Sequence, residues 1–112
     1  MKKVLLIKSD TMGDAPRELG VKLIGAFFRK LCLNKDKPHW VIFYGTGVKL
    51  MTSESPIMDA LEILSSSGVD LLACGTCVRY FDLEDKIAVG RVSSMDEVVS
   101  IIMKGDDVVS IC

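Results

Sequence analysis

Five short apolar runs, separated by helical or turn-like stretches, constrain this chain more than any other feature. Val4-Leu5-Leu6-Ile7 is continuous and apolar, as a strand buried on both faces requires. Trp40 to Tyr44 is β-branched and aromatic, Val69 to Cys74 is apolar, and Ile87 to Val92 and Val108 to Ile111 follow. Between the first two runs, Leu19, Leu23, Ile24, Phe27, Phe28 and Leu31 recur at helical spacing, with Asp14 placed to cap and Pro16 in the first turn. Val48 to Glu54 reads as an irregular loop. Ser55-Pro56 then opens a second helix, buried through Met58, Leu61 and Leu64 and closed by Gly68. Tyr80 to Asp85 reads as a short helical turn or loop. Ser94 and Glu97 have capping-box spacing for a third long helix carrying Val98, Val99, Ile102 and Met103. Strands alternating with helices predict parallel βαβ units joined by right-handed crossovers. The expected fold is α/β: one domain over residues 1–112, three-layer α/β/α, with a mainly parallel five-stranded sheet. Strand order is not legible at this stage.

In such a sheet the loops that follow the strands open on one edge, and ligands bind there. That edge collects Ser9 to Asp14, Gly45 to Lys49, Cys74 to Arg79 and Ser93-Ser94, with Cys112 expected near it. His39 precedes the second strand and belongs to the opposite edge, about 16 Å away along a five-residue strand. The only histidine is therefore misplaced to act as a base for Cys74. With 14 basic and 15 acidic residues and 6% aromatics, the chain has no electrostatic footprint for nucleic acid or an anionic membrane. Lys2-Lys3 precede an apolar run too short for a secretory core or a span, so a cytoplasmic protein with reduced thiols is expected.

The chemistry concentrates in Cys74-Gly75-Thr76-Cys77. In a reducing compartment a single Cys-x-x-Cys points to redox or thiol-transfer work more than to a staple. The thiolate is the nucleophile, and backbone amides at a helix start would lower its pKa. Gly75 frees the backbone to turn there, Thr76 brings a hydroxyl, and Arg79 is the nearest cation in sequence. In such motifs the first thiol commonly stands exposed and the second resolves, which would make Cys74 the attacking group and Cys77 its resolver. Cys32, between Leu31 and Leu33, reads as core. One thiol pair plus a remote cysteine falls short of four zinc ligands, so no metal is expected, and no cofactor either. Lys49 would meet an anion, or else be a solvated lysine.

These residues resemble the DsrE/DsrF-like domains of sulfur-relay proteins, and within them the C-terminal domain of the YedF family, described as sulfurtransferase-like in selenium metabolism. The resemblance runs through Gly13-Asp14, Glu18-Leu19-Gly20, Gly47-Val48-Lys49-Leu50, Cys74-Gly75-Thr76-Cys77 and Ala88-Val89-Gly90 to Ser94-Met95. It implies a sulfur or selenium relay protein with a persulfide on Cys74 and Cys77 as second thiol. It also implies substrate contacts from Gly13, Asp14, Gly47, Lys49, Gly75, Thr76 and Arg79. If the chain is an enzyme, it is a sulfurtransferase-like one. YedF-type proteins carry a TusA-like domain ahead of this one; a chain without it would exchange sulfur with a TusA-like partner protein. The apolar surplus predicts a homo-oligomer.

Two alternatives stand beside this reading. One is a thiol-disulfide oxidoreductase, although Pro16, Pro38 and Pro56 all precede Cys74 and a thioredoxin-type site places a proline after its thiols. The other is a non-enzymatic ligand- or partner-binding module of flavodoxin-like architecture. There Ser9 to Gly13 would cradle a phosphate against the charges of Asp10 and Asp14.

Overall fold

The computed structural model describes residues 2–111. Cys112, expected near the functional edge, lies outside them. The strands are β1 (Lys3–Ile7), β2 (Trp40–Phe43), β3 (Asp70–Cys74), β4 (Arg91–Ser93) and β5 (Asp107–Ser110). The helices are α1 (Arg17–Leu33), α2 (Met58–Ser66), α3 (Gly75–Tyr80) and α4 (Met95–Lys104). All strand pairings are parallel, in the order β4-β3-β2-β1-β5. The expected α/β sandwich is present.

The topology decides what covers each face. Three successive crossovers step one place in the same direction from β1 to β4. Right-handedness therefore puts their helices on one side of the sheet. The return from β4 to β5 jumps back across three strands and places α4 alone on the other side. Side chains alternate accordingly. Leu5, Ile7, Val41, Phe43, Leu71 and Ala73 pack beneath Ile24 and Phe28 of α1 and Leu61 and Leu64 of α2. The Phe28 and Phe43 rings stack at 5.9 Å. On the other face Val4, Ile42 and Leu72 meet Val98 and Ile101 of α4.

Several local boundaries differ from the sequence expectation. Asp14 does not cap α1; the helix starts after Pro16, whose fixed φ and missing N–H suit the position just outside it. A 3-10 helix over Gly45–Met51 takes in the first part, Val48 to Met51, of the expected irregular loop. The α2 helix opens at Met58, and Ser55 instead accepts the Ile57 N–H. Phe81 to Asp85 is turn and loop as expected, and the helix α3 precedes it straight off β3.

Only Arg91–Ser93 of the run Ile87 to Val92 joins the sheet. Ile87 bridges Thr52 antiparallel, Ala88 N–H bonds the Met51 carbonyl at 2.8 Å, and Gly90 adopts φ +72° to turn back into β4. Other expectations hold: Ser94 accepts the Glu97 N–H at 3.2 Å, and Gly68 closes the α2 region with φ +95°.

Candidate dithiol site

Cys74 ends β3 and is the residue preceding the first turn of α3; Cys77 is the third residue of that helix. Their spacing turns both side chains toward the same helix end. Strand parity then fixes the first thiol. Cys74 shares the α4 side with Leu72 and is 1% exposed. It borders a pocket of about 200 Å³ lined by Leu6, Ile42, Tyr44, Met95, Val98 and Ile102. Cys77 is half-buried, and its Sγ accepts the Gly45 N–H at 3.1 Å.

The expected order of exposure is thus reversed: the first thiol is buried and the second is the more exposed one. The accessible thiol, Cys77, has a raised pKa. Burial pushes that thiol above its ordinary value, the Gly45 amide pulls against this, and the Cys74 thiol beside it adds to the rise.

The remaining expected site residues divide into groups. Gly75 is buried against the end of β4, where an added Cβ would stand 2.8 Å from the Ser93 carbonyl oxygen. The Arg79 guanidinium folds back over the same glycine, while Thr76 is exposed. Gly47 is buried directly against the Ile7 carbonyl, where no Cβ fits, so it seats the 3-10 helix on β1. Gly13 and Asp14 are exposed on the loop after β1. Lys49 holds its ammonium 4.6 Å over the Phe81 ring. It borders a separate cavity of about 550 Å³ with Asp10, Arg17, Thr52, Phe81 and Lys86. There the Arg17 guanidinium bonds Asp10 and holds its carboxyl below the usual range. The His39 backbone carbonyl accepts from Asp70 N–H and its backbone N–H donates to the Lys3 carbonyl at the strand starts, on the expected far edge. Cys32 is core, its thiol donating to the Arg29 carbonyl at 3.2 Å.

Sequence reasoning missed Gly45 as the Cys77 donor and the apolar walls of the Cys74 pocket. Leu6, Ile42 and Tyr44 carried the one available signal, because they share strand parity with Leu72 and Cys74.

Fold and site together define a class: parallel α/β domains that bring a pair of thiols to the carboxyl edge of the sheet. The chain belongs to the DsrE/DsrF-like family, whose model matches residues 2–111. Solved structures agree in fold. A protein of unknown function, MTH1491 from Methanobacterium thermoautotrophicum, is 24% identical over 97% of both chains, with a TM-score of 0.71. The ychN protein from E. coli is 19% identical over 97% of both chains, at 0.68. BT1422 from Bacteroides thetaiotaomicron is 17% identical over 98% of this chain and 94% of its own, at 0.69. No curated protein matches the chain. No helix among the described residues is long and apolar enough to cross a membrane.

Proposed function

We propose that this protein is a cytoplasmic sulfur-relay component, of the YedF type within its family, in which Cys74 carries a persulfide and Cys77 exchanges sulfur with the outside. Selenium would travel the same route. One observation carries the reading: two thiols at the carboxyl edge, one buried against carbon and one half-open under a backbone amide.

The exposure order supports the following sequence of steps. A donor R–S–SH meets Cys77 first. The Cys77 thiolate attacks the sulfane sulfur, the donor S–S bond breaks, and R–S⁻ leaves with Cys77–S–SH formed. Cys74 then attacks that outer sulfur and takes it, regenerating the Cys77 thiolate. Neither transfer changes the net oxidation state. Attack of Cys77 on the inner sulfur of Cys74–S–SH would instead release sulfide and leave a Cys74–Cys77 disulfide. The donor or acceptor is a TusA-like protein, the working form is a homo-oligomer, and neither nucleic acid nor membrane takes part.

Incubation with cysteine persulfide, alkylation and intact mass measurement test this. The wild type should gain and keep sulfur, Cys77→Ser should load slowly, and Cys74→Ser should load but lose its sulfur quickly to a reductant. Equal retention by Cys74→Ser and wild type sinks the assignment. The same thiol pair also favours a dithiol oxidoreductase. Failure to take up persulfide, together with a disulfide whose potential lies far above the cytosolic poise, would select that reading instead.

A further inference from the structure

We infer that the pocket beside Cys74 stores neutral sulfur as a short chain of sulfane atoms rather than a single one, an inference that rests on the sulfur-transfer reading above. The pocket holds about 200 Å³ and its walls are almost wholly carbon, from Leu6, Ile42, Tyr44, Met95, Val98 and Ile102. A water molecule takes about 30 Å³ of liquid volume, and carbon walls offer it no hydrogen-bond partner. A divalent sulfur is of the same order of size, so the space exceeds what one added atom needs.

The chemistry of the cargo matches the walls. A run of –S–S– atoms has no charge and no strong hydrogen-bonding group until its end, so burying it incurs none of the cost of a buried polar group. At the end, low polarity favours –SH over –S⁻, which leaves the stored sulfur a poor nucleophile at rest. The other wall of the motif differs. Cys77 has an amide donor and partial exposure, which suits exchange rather than storage.

Growth balances without an oxidant. The terminal sulfur of Cys74–S–SH loses its proton and attacks the outer sulfur of Cys77–S–SH. The old S–S bond breaks, and the products are Cys74–S–S–SH and Cys77–SH. Each cycle consumes one donor persulfide and releases one donor thiol. Met95, 53% exposed, and Ile102, half-buried, stand at the mouth of the pocket.

The test loads the protein with excess cysteine persulfide and measures intact mass without reductant. After alkylation and digestion, peptide masses should place more than one added sulfur on Cys74 itself in the wild type, whereas Cys74→Ser should carry no more than one, on Cys77. Ile102→Phe and Met95→Trp, which fill the pocket from two sides, should stop at one sulfur while keeping the wild-type circular dichroism. A wild type that stops at one sulfur, or filled variants that carry its full chain, overturns the store and leaves the relay intact. A wild type that takes no sulfur overturns the relay, and the store with it. Xenon gives a readout free of sulfur chemistry. NMR shifts centred on Leu6, Val98 and Ile102, abolished by Ile102→Phe, are expected, and their absence from the wild type overturns the dry pocket.

Discussion

The two faces of the sheet are built from alternating residues of the same strands, yet they differ in how completely they are covered. Beneath α1 and α2, Ile7, Val41, Phe43 and Ala73 are fully buried in a continuous core with Ile24, Phe28, Leu61 and Leu64. Beneath α4 the buried set shrinks to Val4, Ile42, Leu72, Val98 and Ile101, with Leu6, Trp40 and Ile102 only partly covered. Outward, α4 shows Met95, Val99 and Met103 to solvent. The cause is topological, since three crossovers supply one face and a single return helix supplies the other. The lesson is a division of labour: the crowded face holds the fold, and the thinly covered one leaves a pocket beside Cys74.

The largest effect that could break this comparison is a pair of truncations. Phe28→Ala removes a fully buried ring stacked on Phe43 and should destabilise by about 3–5 kcal/mol in urea unfolding. Ile102→Ala trims a half-buried side chain on the α4 face and should cost about 1 kcal/mol. Similar losses from the two would show that the faces share the folding energy equally.

Next comes Gly47. A methyl group there meets the Ile7 carbonyl, which belongs to the sheet backbone and has little freedom to withdraw. Gly47→Ala should destabilise by about 2 kcal/mol as an overpacked site. A variant with wild-type stability would mean that the 3-10 helix shifts easily and does not fix Gly45 over Cys77.

A smaller effect belongs to the edge strand. Arg91 bonds Asp70 through Nε and Nη2, and Glu97 through Nη1 and Nη2, while Ser93 donates to Glu97. The Arg91 guanidinium, then the Ser93 hydroxyl, hold the Glu97 carboxyl down at about 2, below its ordinary 4.5. The folded-state pKa is depressed, so the stability it represents is present above pH 4.5 and is lost as pH falls toward about 2. All three charged groups are more than a third exposed, so Arg91→Ala should cost only about 1 kcal/mol after solvent screening. Thermal unfolding across that window should show an acid loss in the wild type that is blunted in Glu97→Gln. Parallel curves would remove the pair from the account of how β4 is held beside Cys74.

Much of this architecture was legible because local chemistry and global fold agree. Short apolar runs, Ser94 with Glu97, and Gly68 each announce an element boundary through propensities that tertiary packing did not override. Ile87 to Val92 misled because a run that covers the core from outside the sheet has the same apolar content as a strand within it. Thr52 and Met51, its actual partners, are distant in sequence. The two cysteines were legible as a site but not in their roles. Which thiol is exposed depends on the face Cys74 takes, and both faces of β3 are apolar, so its own residues hold no clue. The helix count on each face decides it, and that follows from strand order.

The smallest predicted effect sharpens the contrast between the two thiols. Burial raises the Cys77 pKa above 9.0, with the Gly45 amide opposing and the Cys74 thiol reinforcing the rise. For a group whose folded-state pKa is raised, the stabilising contribution is whole below the unfolded value and fades as pH climbs through the folded one. Stability of the wild type should therefore decline above pH 9.0 by more than that of Cys77→Ser, with other alkaline groups common to both. Alkylation by iodoacetamide should follow the same titration, with Cys77 modified before Cys74 and both slower than an unstructured cysteine at neutral pH. A Cys77 that reacts faster than a free thiol would mean that the Gly45 amide outweighs burial. A slow one fits a relay whose thiols stay inert until a docking partner changes their surroundings, since a permanently ionised sulfur on an open edge would be spent on stray oxidants before any donor arrived.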